Sequence, residues 1–342
     1  FHFSQPKHQA NSEDWEQIED FAKAKHDWLK TFLELPNGIP SHDKIRAVFV
    51  HLDPNEFEAC FRKWVASLLK DVGGEIISID GKTCRGSHDR TKGKKPIHMV
   101  SAWANENRIV LGQVKTEEKS NEITAIPELL KAIDIASAVV TIDAMGCQKD
   151  IVKEIRSKNA EYVISLKGNQ SRLQEKVEDF FTCYSNESNT ITLTDEEQKA
   201  HGRVEQREYF LAEIPGHFNE KYIWEGLTCI GKVRSSRLID GNLTVENRYF
   251  ITSLKTSEFK RFAAATRRHW GIENSLHYWQ FDISFSEDRS RKRSGNAAQN
   301  FSLVRKIALN YLKNDKTRKG GIERKRRYAS LNTEYLQTLI SQ

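Results

Sequence analysis

The chain has 342 residues, of which 38% are hydrophobic and 29% are charged, and its mean hydropathy is −0.63. This composition excludes a disordered chain, and no apolar run approaches the roughly 18 residues that a membrane helix needs. The length predicts about two or three folded units, and we expect neither a signal peptide nor a membrane partner. Because the chain begins at Phe1 rather than Met, we expect a fragment.

The five cysteines are widely spaced and form no C-x-x-C pair. This pattern argues against a zinc ribbon and against a disulfide framework, and it favours a reducing, cytoplasmic setting. The net charge is +6, yet 14 Lys or Arg and only 2 Asp or Glu lie between Arg289 and Arg327. Such a basic segment indicates either a polyanionic partner or a solvated tail, and composition leaves both open.

The first 72 residues predict a helical domain. Apolar residues spaced by three and four begin at Trp15, a second helix is predicted over residues 25–35, and the segment 36–40, rich in proline and glycine, ends it. Ser41 can cap the next helix, and a further helix is predicted over residues 57–69.

From residue 73 to 170 the pattern alternates between strands and helices. Strands are predicted over residues 76–80, 97–103, 108–114, 138–143 and 162–166, with helices over 122–133 and 148–158. The first three strands can form an antiparallel meander, whereas the later ones need crossover helices and therefore lie parallel. We predict an α/β fold in which helices cover a mixed sheet, the arrangement of a ribonuclease-H-like core.

Residues 171–255 predict a β-rich insertion into this core. Its strand-like runs are 190–194, 203–211, 227–234 and 245–254. Helical patterning returns near residue 258 and continues to about 313, with a break at 285–288, so that 256–315 form the second part of the core. Residues 316–342 are a basic tail that either binds DNA or is disordered.

Two aspartates end apolar strands of the predicted core. Asp80 follows the run 76–79 and Asp143 follows 138–142. Ligand sites in open α/β sheets gather at such ends, and neighbouring strands lie about 4.8 Å apart, so two acids could share a metal ion. Mg²⁺ prefers such hard oxygen ligands. Alternatively, each Asp satisfies backbone N–H groups in a turn.

A third acid has to come from elsewhere in the chain. Glu273 lies in a predicted helix, where a period of 3.6 residues puts it on one face with His269, His277 and Gln280. This polar stripe either lines a site or faces solvent. Three other acids are alternatives: Asp282, Glu287 and Asp288.

A nucleotide-binding P-loop is a competing interpretation of the same region. The tripeptide Gly81-Lys82-Thr83 could end such a loop, but the motif needs a glycine five positions earlier, where Ile76 stands. The predicted strand also occupies the place of the loop. We therefore reject a nucleotide-hydrolysing enzyme.

Several motifs, taken together, resemble one family. The segments that carry the resemblance are 37–43, 79–82, 118–123, 141–148, 166–170, 269–279 and 281–288. They are similar to the insertion-sequence transposases of the ISAs type, which include the H-repeat-associated proteins of bacteria. The resemblance extends from about Trp15 to Leu312.

The resemblance implies a DDE transposase with a ribonuclease-H-like core and the catalytic, metal-binding triad Asp80, Asp143 and Glu273. It implies two Mg²⁺ or Mn²⁺ ions, hydrolysis at transposon ends and strand transfer to target DNA without a covalent protein–DNA link. The expected partner is double-stranded DNA, bound by a homodimer, in the nucleoid of a bacterial cytoplasm.

The chain departs from related transposases around the last acid. Where they often carry Tyr, Arg and Lys, this chain has Thr266, His269 and Gln280. We expect Arg267 or Arg268 to supply the phosphate contact instead. We also expect the family's first stretch to be missing, which would impair binding of transposon ends.

Other basic residues are candidates for DNA contacts. Arg203 and Arg207 belong to a segment that resembles the family, although ordinary strand-surface charge explains them equally well. A second group follows the helix of the last acid: Arg289, Arg291, Lys292 and Arg293. Such phosphate contacts provide affinity and salt dependence. Trp270 and Trp279 could stack on an unpaired base, but packing in an aromatic core is the favoured interpretation.

Two further functions stay open on the sequence alone. One is a catalytically silent, DNA-binding relic of a transposase, and the other is a nuclease of the same fold that cuts DNA without joining ends.

Overall fold

The computed structural model describes residues 14–69, 73–116, 122–183, 190–200 and 203–341. Within these ranges, the side chains of residues 199, 200, 273–275, 278 and 279 lie outside the description. The chain divides into two compact units. One contains Trp64–Lys82 and His98–Ser275, and the other contains Phe1–Lys63, Thr83–Ile97 and Leu276–Gln342. The predicted domain boundaries stay a prediction, because a division by contacts does not establish which segments fold as domains.

The first unit is built on one large sheet. In the part of the chain that the structure describes, ten strands form it: β1 Ile76–Thr83, β2 His98–Ala104, β3 Ile109–Thr116, β4 Val139–Ile142, β5 Glu161–Leu166, β6 Thr190–Thr194, β7 Gln198–Ala200, β8 Arg203–Glu213, β9 Cys229–Ile239 and β10 Asn242–Thr252. Their order is β3-β2-β1-β4-β5-β10-β9-β8-β6, and β7 pairs with β8.

The first five strands form the predicted mixed core. Strands β1, β4 and β5 are parallel, and β2 is antiparallel to β3. The apolar runs of β1 and β4 are buried on both faces, as expected of parallel strands covered by helices. The predicted α/β fold class, with a ribonuclease-H-like mixed sheet, is therefore confirmed.

Strand β10 joins the insertion to this core. It pairs antiparallel with β5 from Tyr249↔Leu166 to Thr252↔Val163, and along its whole length with β9. All four predicted runs of the insertion are strands. The insertion also contains a helix that the pattern did not predict, α7 Ser171–Cys183, which packs on β10.

Helices cover both faces of the sheet. Helices α5 Glu122–Ala132 and α6 Lys149–Ser157 pack on one face, and α8 Phe259–Gly271 packs on the other, against β4, β5 and β8. Because side chains alternate along a strand, β4 points Ile142 toward α5 and Val139 toward α8. Residues 76, 78 and 80 of β1 and 139, 141 and 143 of β4 thus share the face that α8 covers.

Helix α8 is held on the sheet by an apolar core. Phe259, Phe262 and Ala263 pack with strand residues from both parts of the sheet: Ile76, Val139, Val163, Tyr209, Leu211, Cys229, Val233 and Phe250. The ring of Phe262 lies so close to Gly231 that a Cβ there would collide with it. These apolar contacts therefore hold α8 on strands of the ribonuclease-H-like sheet and on strands of the insertion.

The second unit is helical. Its helices are α1 Trp15–Ala24, α2 His26–Leu29, α3 His42–His51, most of α4 Pro54–Leu68, α9 Ala297–Asn314, α10 Ile322–Leu331 and α11 Thr333–Ile340. Helix α2 is shorter than the predicted run 25–35. Ser41 caps α3 as predicted, accepting a hydrogen bond from the backbone N–H of Lys44. No helix within the described ranges is long and apolar enough to cross a membrane.

Three aromatic rings pack together in this unit. The ring centroids of Trp15, Phe49 and Phe301 lie 5.4–5.7 Å apart. The ammonium of Lys292 lies 4.0 Å from the centroid of Phe301 and 4.7 Å from that of Trp15, and Lys292 is only 5% exposed. Lys292 is thus a packed cation held over aromatic faces, a position that a DNA phosphate does not reach.

The basic tail is folded rather than disordered, because α10 and α11 pack on α9. The side chain of Asp315 is fully buried, and its Oδ2 lies 3.1 Å from Nζ of Lys325 and accepts a 2.7 Å hydrogen bond from the Tyr335 hydroxyl. Burial by itself raises the pKa of Asp315, but the hydrogen bonds from Thr317, Tyr335 and Lys325 together hold that pKa well below its ordinary value.

Replacing Tyr335 with Phe should destabilise this unit by about 1.5–3 kcal/mol at neutral pH, the usual loss for a hydrogen bond to a charged group. A depressed carboxyl pKa stabilises the fold above the unfolded value, near 3.9, and this contribution is lost as pH falls through the folded value. The difference in unfolding free energy between wild type and variant should therefore persist below pH 4 and shrink only as pH falls through the folded-state pKa of this carboxyl, first in the variant and then in the wild type. Chemical denaturation at several pH values measures it.

Tyr222→Phe is the matched control, because Tyr222 is 80% exposed and should change the free energy of unfolding little. A Tyr335→Phe loss of less than about 0.5 kcal/mol at neutral pH would contradict the role assigned to the Asp315 carboxylate.

Candidate active site

The two predicted aspartates come together at one end of the sheet. The parallel pairing of β1 and β4 includes Ile79↔Ile142, so Asp80 and Asp143 are the next residues along two neighbouring strands. Both lie on the face covered by α8, and both are half-buried. Since neighbouring strands run about 4.8 Å apart, the two carboxylates open onto the same region.

Asp143 is fixed by the turn that follows it. Its Oδ1 accepts hydrogen bonds from the backbone N–H groups of Met145, at 3.0 Å, and Gly146, at 3.4 Å. The turn-capping role considered from the sequence is thus real, but it engages one oxygen. Both of these bonds end on Oδ1, which leaves Oδ2 to face a ligand.

A buried pair supports the backbone next to Asp80. Nε2 of His98 on β2 lies 2.5 Å from Oε1 of Glu122, the first residue of α5, and both side chains are almost completely buried. A Cβ on Gly81 would collide with both groups. The pair therefore lies directly behind the strand, on the face opposite Asp80, and only glycine fits at position 81.

His269 links α8 to the two strands that carry the aspartates. Its Nδ1 lies 3.1 Å from the Thr141 hydroxyl, which donates to the Ser78 hydroxyl at 3.0 Å; Asn105 also donates to Ser78, at 2.9 Å. Burial lowers the pKa of His269, although the nearby charges of Asp80 and Asp143 act to raise it. The imidazole is therefore close enough to both carboxylates for their charges to act on it, and burial favours its neutral form.

The third predicted acid, Glu273, follows directly after α8. A π-helical segment, Ile272–Ser284, continues α8, and the hydrogen bond from the Phe285 N–H to the Gln280 carbonyl has the π-helical spacing of five residues. The predicted common face of residues 269, 273, 277 and 280 assumed 3.6 residues per turn and stays a prediction, since a π-helical segment has a different period. The Glu273 side chain lies outside the described residues.

The rival acids have other contacts in the helical unit. Glu287 is 2% exposed, accepts a hydrogen bond from the Ser302 hydroxyl at 3.1 Å and lies 3.6 Å from Nη1 of Arg305. Asp288 accepts a hydrogen bond from the backbone N–H of Arg85 and lies 3.5 Å from its Nε. Both contribute to the packing of that unit. Asp282 is half-buried.

A cavity of about 360 Å³ opens beside Asp143. It lies between the carboxyl ends of β4 and β5, strand β10 and the C-terminal half of α8, and His269 and Trp270 form part of its wall. Trp270 is 39% exposed, so its interpretation as a core residue is wrong. The cavity gives Asp143 access to a ligand several atoms across.

The predicted DNA-contacting residues differ in their surroundings. Arg267 pairs with Asp195, Arg268 with Glu106, and Arg207 with Glu205. Arg203, Arg289 and Arg291 are exposed, and Nε of Arg293 donates to the carbonyl of Gly86. Apart from the buried Lys292, these predicted residues present charge at the surface, several of them already within ion pairs.

The donor set suits a divalent ion with oxygen ligands. Carboxylates are the protein ligands that Mg²⁺ prefers, and Oδ2 of Asp143 takes no part in capping its own turn. Among the described side chains, which do not include Glu273, no three His, Cys, Asp or Glu residues could together hold a metal ion. The two aspartates fit the ion as part of a set that another group completes.

Comparison with known proteins decides the family. A family model described as "Transposase DDE domain" matches residues 72–311, and one described as "DDE_Tnp_1-associated" matches residues 8–65. The chain belongs to the DDE transposase family. It is therefore a DNA transposase, and the predicted membership is confirmed.

Relatives match along nearly the whole chain. It is 44% identical to "Putative transposase YncI" of Escherichia coli O157:H7, across 97% of this chain and 86% of that protein. It is 39% identical to "H repeat-associated putative transposase YhhI" of Escherichia coli strain K12, across 97% and 89%. A piggyBac transposase synaptic complex with hairpin DNA aligns with all of this chain and 79% of that one at a TM-score of 0.36 and 12% identity.

Sequence reasoning missed the residues that fix the site from behind. The His98–Glu122 pair and the chain from His269 through Thr141 to Ser78 were not predicted. One signal was present: Ser78 and Thr141 are hydroxyl residues in otherwise apolar strands, each two positions before an aspartate. Since side chains two apart point to one face, these hydroxyls had to lie beside the carboxylates.

Proposed function

We propose that this chain catalyses metal-dependent cleavage of DNA strands at transposon ends and transfer of the cut ends to target DNA. The register Ile79↔Ile142 carries the proposal, because Asp80 and Asp143 each follow one member of this pair, where the parallel pairing of β1 with β4 ends. Membership of the family supports DNA as the substrate, and this pair of carboxylates supports metal-dependent cleavage.

Asp80, Asp143 and Glu273 are the proposed ligands of two Mg²⁺ or Mn²⁺ ions. When bound, two such ions about 3.5–4 Å apart activate the attacking oxygen and stabilise the leaving one. The turn at Met145 and Gly146 fixes the direction of the Asp143 carboxylate, and the Thr141 hydroxyl fixes the imidazole of His269 beside it. Glu273 is included in this set because of the resemblance to the family and because it lies two residues after the end of α8.

The surface arginines are proposed to hold DNA phosphates. They are Arg203, Arg207, Arg267, Arg268, Arg289, Arg291 and Arg293. We also propose a homodimer on DNA, because two transposon ends must be brought together, and location at the bacterial nucleoid. Lys292 is left out of this set because it is buried over aromatic rings.

Removing divalent ions should abolish strand cleavage. The test incubates the chain with a DNA fragment carrying both ends of its element, with Mg²⁺, with Mn²⁺, or with EDTA, and separates the products on denaturing gels. We expect nicks at the ends and joined products with either metal and neither with EDTA, because the carboxylates alone cannot offset the charge that develops at the phosphate.

The same gels separate the alternatives. Cleavage without any joined product would indicate a nuclease of the same fold. Salt-sensitive binding without nicks in either metal would indicate a silent relic, and cleavage that persists in EDTA would contradict the metal-dependent mechanism.

A further inference from the structure

A second cavity, of about 220 Å³, lies beneath the C-terminal end of α8 on the insertion strands. Four arginines line it: Arg207 on β8, Arg237 on β9, Arg248 on β10 and Arg267 on α8. Four guanidinium groups around so small a space are unusual, because each carries a full positive charge at any pH that proteins tolerate.

The register of the insertion explains why the arginines meet. Tyr209 pairs with Val233, which pairs with Arg248, so Arg248 already lies in the last row that has apolar side chains under α8. In the next row on the same face, Arg207 pairs with Ser235 and Ser235 with Glu246, and in the row after that Arg237 pairs with Glu205. The apolar core beneath α8 thus gives way to rows that carry arginines where the helix ends.

Among the described side chains, three carboxylates pair with these four cations. Oε1 of Glu205 accepts from Nη2 of Arg207 at 2.6 Å and also from Nε of Arg237 at 3.0 Å. Glu246 accepts from Arg248, and Asp195 pairs with Arg267. A guanidinium has five N–H donors, and these bonds engage one or two on each arginine, so donors remain for a further acceptor.

The aromatic wall of the cavity holds one of these donors in place. The guanidinium carbon of Arg248 lies 4.6 Å from the centroid of the Trp270 ring. Stacking on the indole and the bond to Glu246 restrict Arg248 from two sides, so its remaining N–H groups keep a fixed direction. The cavity therefore has an oriented donor set rather than loose surface charge.

The arginine cavity adjoins the active-site cavity. Arg248, Phe250, Thr266 and Trp270 line both. A strand whose phosphodiester lies beside Asp143 would therefore carry another of its phosphates past Trp270. Phosphate oxygens match the guanidinium fork, which can donate two parallel hydrogen bonds to them.

We infer that the arginine cavity is a binding site for a backbone phosphate of the DNA strand that the active site cuts. The inference rests on the proposed function and deepens it, since it assigns a role to Arg237 and Arg248 and joins them with Arg207 and Arg267 in one site. The shared chemistry is a phosphate group, and continuity with the active-site cavity favours DNA over a free nucleotide.

The first test replaces Arg237 with Gln and measures binding of end-containing duplex DNA across salt concentrations. Losing one phosphate contact should lower the slope of log affinity against log salt by about 1 and weaken binding roughly tenfold at a fixed salt concentration. Arg207→Gln should behave alike. The matched control is Arg234→Gln, on the same strand but the opposite face, where Arg234 lies 3.4 Å from Glu208. It should keep the wild-type slope.

A further variant and a competition experiment distinguish loss of a DNA contact from loss of folding and from binding of a free nucleotide. Arg237→Lys retains a cation beside Glu205, so it should fold and should still weaken DNA binding, because lysine cannot form the bidentate contact. Competition by inorganic phosphate and by ATP identifies the source of the ligand. If ATP binds tightly while the Arg237 variants keep the wild-type DNA slope, the cavity serves free nucleotides and the inference is overturned.

Failure of this inference differs from failure of the proposed function. If the wild-type chain cuts DNA in a metal-dependent way and all three cavity variants bind DNA as Arg234→Gln does, the cavity assignment is wrong and the function stands. If the wild type neither binds nor cuts, the proposed function fails first.

Discussion

Asn in place of Asp80 should reduce DNA strand cleavage at least about a thousandfold, equivalent to roughly 4 kcal/mol of transition-state stabilisation. Asn has nearly the same shape as Asp but lacks the charge that holds a divalent ion. Asp143→Asn should have an equally large effect. In that variant the amide oxygen can still accept from the N–H groups of Met145 and Gly146, so the turn survives while the charge is lost.

The measurement is single-turnover cleavage of end-containing DNA, with DNA affinity and melting temperature measured on the same preparations. Asp179→Asn, at an exposed position of α7, is the control for loss of one negative charge. Both site variants should bind DNA at least as tightly as the control and melt near the wild-type temperature. Cleavage by Asp80→Asn within tenfold of the wild-type rate would rule out the role assigned to this carboxylate.

Replacement of Phe262 by Ala should destabilise the sheet-containing unit by about 3–5 kcal/mol. The side chain is fully buried, lies 5.9 Å in an edge-to-face arrangement from Phe250, and fills the space above Gly231. The surrounding strands cannot collapse into the gap, because β5, β9 and β10 are hydrogen-bonded to one another. The variant therefore keeps most of the cavity that the ring leaves.

Chemical denaturation followed by far-UV circular dichroism gives the change in the free energy of unfolding. Phe32→Ala makes the same chemical change at a position that is 51% exposed, and surface changes of this kind usually stay within about 0.5 kcal/mol. If Phe262→Ala loses less than about 1 kcal/mol, the core beneath α8 is not what holds that helix on the sheet.

The sheet core could be predicted because its signals are local. Each of β1, β4 and β5 is an apolar run of strand length, and the helical segments between them require parallel pairing. If the strands are parallel and begin at the same level of the sheet, the aspartates that follow their apolar runs lie side by side. The pair Asp80 and Asp143 therefore followed from pattern and strand spacing alone.

The rest of the site depends on geometry that the sequence does not carry. The predicted face of residues 269, 273, 277 and 280 assumed α-helical periodicity, whereas Ile272–Ser284 form a π-helical segment. The hydroxyl chain from His269 to Ser78 joins residues far apart in sequence, through contacts that exist only after α8 packs on the sheet.

The distribution of charge in the sequence also does not reveal which cations are exposed. The basic segment indicated either a polyanion site or a solvated tail, yet four of its cations are almost completely buried: Lys292, Arg305, Lys306 and Lys325. Lys306, for example, donates to the Ser302 hydroxyl and lies 4.9 Å from the Phe281 centroid. A count of charges cannot distinguish such packed cations from those that face solvent, because the long alkyl stems of lysine and arginine bury easily.

The pairing of β5 with β10 has a consequence for how the chain folds. Residues 167–248 separate the paired segments, so β5 stays an unprotected sheet edge until the distant hairpin of β9 and β10 has formed. Contacts between segments so far apart in sequence form slowly, and an exposed, apolar edge strand invites pairing with another chain. The insertion therefore protects the β5 edge of the catalytic sheet as well as extending that sheet. A shortened chain without it would keep β5 as an exposed apolar edge and should aggregate more readily than the full chain.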